Sequence, residues 1–109
     1  MADCPFCERI ATGAFDVFTA DSMTVCFEPL RPVIQGHLLV VSRSHIINAA
    51  ADPIVAGACM HKAASLAKQL PSANIITSIG DAATQTVQHL HVHVVPRYPG
   101  DGLRLPWSD

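Results

Sequence analysis

The stretch Gln88-His89-Leu90-His91-Val92-His93-Val94-Val95 decides the fold and carries the chemistry of this chain. Histidine and aliphatic residues alternate along it, which predicts a β-strand, because successive side chains of a strand point to opposite faces. His89, His91 and His93 then share one face, and the intervening aliphatic residues enter the core. Core packing does not require three imidazoles on one face. The pattern therefore indicates a functional site.

Three histidines on one strand face have two chemical interpretations. In the first interpretation they bind a catalytic zinc ion, as three histidines do in some hydrolytic zinc enzymes. Alternatively, they supply a nucleophile and its supporting groups, because a neutral imidazole with a pKa of about 6.5 is available at pH 7 without a separate base. No carboxylate general base stands near the motif, which disfavours the metallohydrolase.

The segments around the motif predict an α+β fold. A short helix over Pro5–Thr12 ends at Gly13, and a long helix from Asp52 to Leu70 begins with an Asp-Pro cap. Hairpin-linked strands with one crossover helix give a mainly antiparallel five-stranded sheet. Its strands are predicted at 15–20, 23–28, 37–41, 74–79 and 87–95. No linker or repeat interrupts the chain, so residues 1–109 are predicted to form a single domain.

Composition and charge exclude several classes of protein. Half of the residues are hydrophobic and 15% are charged, which is enough apolar material for one core. The net charge of -2 argues against a general nucleic-acid surface, which needs cations to neutralise phosphates. A small phosphorylated ligand needs only local donors. No apolar run approaches the roughly 20 residues that cross a bilayer, and the N-terminal residues lack the features of a secretion signal. These features predict a cytoplasmic protein with no membrane partner.

The histidine motif and the segments before it resemble the histidine triad (HIT) family. Residues 89–95 are similar to the family signature, in which three alternating histidines are followed by two apolar residues. Residues 27–32, followed by 36–41 and His45, resemble the second and third strands of the family. Gln85-Thr86-Val87 resembles its phosphate-contacting turn. The resemblance covers residues 3 to about 98, nearly the whole chain.

The resemblance implies an enzyme that hydrolyses or transfers purine nucleotide conjugates and usually pairs as a homodimer. His91 corresponds to the nucleophile, which attacks the α-phosphorus and forms a covalent nucleotidyl-histidine that water or another acceptor resolves. Adenosine phosphoramidates and dinucleoside polyphosphates are the implied substrates. The alternative within the same fold is a nucleotide-binding or scaffold protein with little turnover.

The resemblance also assigns residues around the nucleophile. His93 and His37 match histidines that line the phosphate site and hold or polarise the reacting groups. Gln85 and Thr86 match residues that hydrogen-bond the phosphate oxygens or the bridging atom. Glu28 stands where the family places an acidic residue that binds the ribose hydroxyls, and a carboxylate accepts hydrogen bonds from both.

Two departures from the family pattern concern the same site. Ser78 stands where the family commonly has asparagine, two residues before Gly80. Thr84 stands where glycine is usual. Ser78 still offers the nucleotide one hydrogen-bond donor. We therefore expect altered contacts to the nucleotide rather than a lost site.

The N-terminal Cys4-Pro5-Phe6-Cys7 has the spacing of a metal-ligand pair and also that of a redox pair. A redox pair normally opens a helix after a strand, and no such strand is predicted here. Two thiolates do not complete a tetrahedral metal site. Some HIT proteins complete a Cys-x-x-Cys zinc site with the histidine after the third strand and the first histidine of the triad, which match His45 and His89. The resemblance thus implies structural Zn²⁺ bound by Cys4, Cys7, His45 and His89.

Overall fold

The computed structural model describes residues 4–13 and 21–107, in which two helices pack on opposite faces of an antiparallel sheet. The elements in chain order are α1 (Pro5–Thr12), β1 (Thr24–Phe27), β2 (Leu38–Ser42), α2 (Pro53–Ala67), β3 (Ala73–Ile76) and β4 (His91–Pro96). The strands lie in the order β1-β2-β4-β3, and each neighbouring pair is antiparallel. The α+β class is as predicted. The histidine strand β4 lies between β2 and β3.

Strand register separates the two faces of the sheet. Val41 lies opposite His91 and Leu39 opposite His93, and residues opposite one another in an antiparallel pair share a face. This face packs against α1 in a cluster that comprises Cys4, Phe6, Val25, Phe27, Leu39 and Val41. The other face packs against α2 in a cluster that comprises Val40, Cys59, Ala63, Leu90, Val92 and Val94. The register therefore directs both strand histidines toward the α1 side.

Capping residues set the helix ends. Cys4 caps α1, with its Sγ accepting from the backbone N–H of Cys7 at 3.3 Å, and Gly13 ends the helix in the left-handed conformation at φ 72°. Asp52 caps α2 by accepting from the N–H of Val55 at 3.1 Å. Among the described residues, no helix has the length and apolar character needed to span a membrane.

The structure changes several predicted boundaries, among them the end of β3 at Ile76 rather than at residue 79, and leaves one prediction outside its range. Helix α2 has 15 residues and ends at Ala67, whereas the sequence predicted that it reaches Leu70. A turn closed by the hydrogen bond from Leu70 N–H to Ala67 O replaces its predicted last part. The described residues contain four strands rather than the predicted five, and the predicted strand 15–20 lies outside them.

The last strand begins at His91, four residues later than predicted. The chain turns just before it, because the His89 N–H donates to the Val87 carbonyl at 2.9 Å and the Leu90 N–H donates to Ile46 at 2.6 Å. His89 therefore precedes the strand instead of belonging to it. The prediction that one strand face carries all three histidines is wrong for this residue.

Candidate active site and metal centre

The hydrogen bonds of His91 fix which ring nitrogen is free. Its Nδ1 lies 2.7 Å from the carbonyl oxygen of His89, and a carbonyl only accepts, so Nδ1 carries the proton. Nε2 of the neutral ring then holds a lone pair. Burial lowers the pKa of His91, which keeps the imidazole neutral at pH 7. The Thr77 hydroxyl donates to the His91 carbonyl at 2.7 Å and holds this backbone in place.

A chain of hydrogen bonds orients His93 in the same way. The Val33 N–H donates to His37 Nδ1 at 3.1 Å, so the proton of neutral His37 lies on Nε2. That Nε2 is 2.9 Å from His93 Nδ1 and donates to it. The proton of His93 therefore lies on its own Nε2. Burial, with the neighbouring His91 and His37, lowers the pKa of His93 to about 4, so His93 is a neutral donor at pH 7.

The two strand histidines stand between two cavities. The α1 cavity has a volume of about 390 Å³ and is walled largely by apolar side chains, such as Phe6 and Leu39, with Arg9 and Arg31 also lining it. The tail cavity has a volume of about 350 Å³ and is lined by His37, Ser78 and the C-terminal segment Leu103–Leu105. His91, His93 and Thr86 border both. The arrangement suits a two-part ligand whose reacting centre lies at the histidines.

Gln85 lines the tail cavity, but its side-chain amide is engaged within the protein. Its Nε2 donates to the carbonyls of Ile47 at 2.7 Å and Val87 at 3.0 Å, and its Oε1 accepts from the Gly80 N–H at 2.9 Å. We therefore assign Gln85 a positioning role for the turn that precedes the histidines. The predicted direct contact to phosphate would need these bonds to rearrange.

The remaining predicted nucleotide contacts differ in placement. Ser78 and Thr86 line the tail cavity, and exposed Thr86 also borders the α1 cavity. Glu28 is exposed and precedes the segment 29–31 that lines the α1 cavity, without lining it itself. Its backbone carbonyl accepts from Arg9 at 2.9 Å. The ribose contact of Glu28 therefore stays a prediction.

The four predicted metal ligands converge next to this site. The candidate ligand atoms of Cys4, Cys7, His45 and His89 all lie within 4.8 Å of one another. Cys4 Sγ is 3.2 Å from His89 Nδ1, and Cys7 Sγ is 3.3 Å from His45 Nδ1. Tetrahedral zinc with bonds of about 2.3 Å to sulfur and 2.0 Å to nitrogen needs sulfur–nitrogen separations of about 3.5 Å. The cluster is therefore close to the size that zinc requires.

The second nitrogen of His89 supports the same assignment. His89 Nε2 lies 2.7 Å from the Ser42 carbonyl and donates to it, so the lone pair lies on Nδ1, which faces both thiols. Histidine ligands of metals are usually oriented by such a carbonyl. Because both nitrogens are engaged, His89 cannot join His91 and His93 in a catalytic zinc triad. The geometry disfavours the metallohydrolase.

Phe6, between the two cysteines, connects the cluster of cysteines and histidines to His91. Its ring meets His91 edge-to-face at a centroid distance of 5.0 Å and meets His89 at 5.9 Å. Sequence reasoning did not single out Phe6, because an aromatic residue between two cysteines carries no signal for a contact with residue 91. Only the packing of α1 on the sheet reveals it.

Comparison with known proteins agrees with this combination of an antiparallel α+β fold and a histidine site. A family model described as the HIT domain matches residues 14–100, and the chain belongs to the HIT (histidine triad) family. An uncharacterised HIT-like protein of Mycobacterium tuberculosis is 33% identical over 110 residues, covering 94% of this chain and 76% of the relative. An adenylylsulfatase of Arabidopsis thaliana is 30% identical over 110 residues, covering 93% of this chain and 55% of the relative.

A solved structure shows the same fold. The crystal structure of a zinc-bound histidine triad family protein from Mycobacterium smegmatis superposes with a TM-score of 0.83 at 29% identity. The match covers 95% of this chain and 81% of that protein. A zinc site in a protein of this fold is consistent with the cluster of cysteines and histidines described here.

Proposed function

We propose that this protein cleaves conjugates in which a group is joined to the α-phosphorus of a purine nucleotide, through a covalent nucleotidyl-His91 intermediate. The observation that carries the proposal is the hydrogen bond from His91 Nδ1–H to the His89 carbonyl, which leaves the Nε2 lone pair free at the junction of the two cavities. The adenylylsulfatase among the relatives supports an adenylyl substrate.

The proposed reaction has two displacements at phosphorus. The lone pair of His91 Nε2 forms a bond to the α-phosphorus, and the bond to the leaving group breaks, with its electron pair going to that group. An amine leaving group also takes a proton from solvent, whereas a sulfate or phosphate leaves as the anion. His93 Nε2–H donates to a phosphoryl oxygen as charge develops there. A water molecule or another acceptor then attacks phosphorus, the phosphorus–nitrogen bond breaks, and its electron pair returns to Nε2. The proton of the attacking water leaves with the nucleotide or passes to solvent.

The proposal includes a structural zinc ion at Cys4, Cys7, His45 and His89. The metal would cross-link the start of α1 to the residues that flank β2 and β4, and it supplies no step of the reaction. Two such chains would pair as a homodimer. The apolar α1 cavity would receive the purine nucleoside.

The experiment is to trap the covalent intermediate. Wild-type protein, mixed with adenosine 5′-phosphosulfate or an adenosine 5′-phosphoramidate and quenched in alkaline denaturant, should gain the mass of one adenylyl group on His91. His91→Ala should lose the adduct and about a thousandfold or more of turnover, because no other group replaces the nucleophile. His61→Ala is the matched control, since His61 is an exposed histidine of α2. Normal turnover by His91→Ala, or an adduct elsewhere, would refute the mechanism.

A further inference from the structure

One cationic side chain that lines the tail cavity, that of Arg104, has a charge that no described carboxylate neutralises. Arg97 and Arg104 both line it, whereas its described lining includes no aspartate or glutamate. Arg104 is exposed and forms no hydrogen bond or ion pair with any residue in 4–13 or 21–107. Arg104 therefore gives this side of the site an unbalanced positive charge.

Arg97, by contrast, is fully engaged in holding the chain. Its guanidinium binds the Asp101 carboxylate through Nε at 2.9 Å and Nη2 at 3.2 Å. Nη1 donates to Asn74 Oδ1 at 2.6 Å, and Nη2 also donates to the Leu103 carbonyl at 2.7 Å. Its charge is thus neutralised by Asp101. Arg97 serves as an anchor between β3, β4 and the C-terminal segment.

Asp101 folds the C-terminal segment back over the cavity. Its carboxylate accepts from the backbone N–H groups of Tyr98 at 2.9 Å and Leu103 at 3.0 Å, in addition to Arg97. Tyr98–Asp101 form a turn with Gly100 at φ 73°, and Gly102 also has a positive φ, of 79°. These bonds place Leu103, Arg104 and Leu105 beside His91 and His93 as one wall of the tail cavity.

We propose that Arg104 selects conjugates whose leaving group is anionic, such as a sulfate or a phosphate, over conjugates of neutral amines. The inference rests on the proposed function, because it identifies the tail cavity as the site of the leaving group. The α1 cavity has apolar walls that suit the purine, although Arg9 and Arg31 also line it, and Arg104 on the other side of the same histidines suits a charged group. Arginine binds the oxygens of sulfate and phosphate through paired N–H groups.

The test compares ligand affinities by calorimetry at about 0.15 M salt. The first probe is α,β-methylene-ADP, in which a second anionic group is joined to the α-phosphorus by a bond that cannot be cleaved. The second probe is AMP, which has the α-phosphate but no group beyond it. Arg104→Gln should raise the Kd of α,β-methylene-ADP about fivefold, the scale of an exposed charge pair, and change the Kd of AMP less than twofold. Lys68→Gln, with the same charge change at the end of α2, should alter neither.

The inference fails if Arg104→Gln weakens both ligands equally or weakens neither. It also fails, together with the proposed function, if the wild-type protein binds neither AMP nor the methylene analogue.

Turnover separates the two proposals. The ratio of kcat/KM for adenosine 5′-phosphosulfate over adenosine 5′-phosphoramidate should fall about fivefold in Arg104→Gln. An adenylyl-His91 adduct with an unchanged ratio would support the proposed function and overturn the role of Arg104. A loss of methylene-ADP affinity in Arg104→Gln without wild-type turnover would show that Arg104 contacts the anionic group, and would overturn the proposed function together with the role of Arg104 in selecting substrates.

Discussion

At the scale of single residues, proton positions determine the chemistry of the site. His91 and His93 have the same side chain and lie two residues apart, yet their hydrogen bonds give them opposite tautomers. The His89 carbonyl forces the proton of His91 onto Nδ1 and leaves Nε2 as a nucleophile. His37 donates to Nδ1 of His93, so its Nε2 becomes a donor. One histidine is therefore suited to attack phosphorus, and the other to stabilise the phosphoryl oxygens.

The lowered pKa of His93 predicts a dependence of stability on pH. Its pKa in the folded protein is about 4, below its ordinary value of 6.5. Between these values the unfolded chain binds a proton that the folded protein does not, so this contribution to stability is complete above pH 6.5 and is lost as the pH falls toward 4. After allowance for the solvent-exposed part of the ring, the free energy of unfolding should fall by about 1 kcal/mol from pH 7 to pH 5 on account of His93.

Denaturant titrations of the wild type and His93→Asn at pH 7 and pH 5 measure the contribution of His93 to the free energy of unfolding. The asparagine variant should lose about 1 kcal/mol less than the wild type over the interval. Equal losses in the two proteins would show that His93 keeps an ordinary pKa in the fold.

Thr84 carries backbone strain that glycine would relieve. Among the described residues, it is the one non-glycine residue with positive φ, at 65°, and it follows the short 3-10 turn Asp81–Ala83. The left-handed conformation costs a residue with a Cβ about 1–2 kcal/mol, and the greater chain entropy of glycine offsets part of that gain. Thr84→Gly should therefore raise the free energy of unfolding by about 0.5–1 kcal/mol. Thr84→Ala, which keeps a Cβ, should gain little, and equal effects of both substitutions would contradict the strain.

At the scale of elements, α1 is joined to the sheet by its first turn. Cys4 and Cys7 meet His45 and His89, and Phe6 packs on the rings of His89 and His91. A helix of eight residues is too short to be stable alone. Its position therefore depends on these tertiary contacts.

Removal of zinc should lower the melting temperature, since metal binding to a site that forms only in the fold is coupled to folding. Protein purified without chelator should contain about one equivalent of zinc per chain by elemental analysis. Cys7→Ser should lose the metal, whereas His61→Ala, outside the cluster, should retain it.

A zinc content below about a tenth of an equivalent would refute the site. Activity that tracks zinc occupancy one for one would instead favour a catalytic metal, in conflict with the engaged nitrogens of His89.

At the scale of the whole molecule, the two faces of the sheet carry different kinds of residues. The face toward α1 carries His91 and the cluster of cysteines and histidines, and the face toward α2 is an aliphatic core. On α2, Cys59 and Ala63 are buried against the sheet, but Ile54 is 81% exposed and Met60 43%. The apolar residues of α2 thus extend beyond the face that the sheet covers.

This exposed apolar surface supports the homodimer that the family resemblance implies. Sedimentation equilibrium at micromolar concentration should give twice the chain mass of 11.6 kDa. Ile54→Glu should shift the equilibrium toward monomer, because a carboxylate in an apolar interface is costly to desolvate. Thr12→Glu, at the exposed end of α1, should not. A wild-type species of one chain mass alone would exclude the dimer.

The sequence by itself determined the features that depend on a few neighbouring residues. Alternation along 91–95 gave β4, and the Asp52-Pro53 pair and Gly13 gave the start of α2 and the end of α1, because strand periodicity and caps are local. The same alternation predicted that the last strand begins at residue 87, which is too early. Nothing in the local sequence indicates that the Leu90 N–H donates to the Ile46 carbonyl instead of to a neighbouring strand. The pattern alone also left open whether the cysteine pair binds metal.

Only the tertiary structure decided how distant residues meet. Strand pairing and the packing of α1 on the sheet bring Cys4, Cys7, His45 and His89 together and separate His89 from the two histidines of β4. It also sets the tautomers of His91 and His93, because the carbonyl and imidazole partners come from the backbone and from residue 37. The tail shows the same dependence: the place of Leu103–Leu105 beside His91 depends on Asp101, which binds Arg97 next to β3. Contacts of this kind depend on the whole fold, and no short segment specifies them.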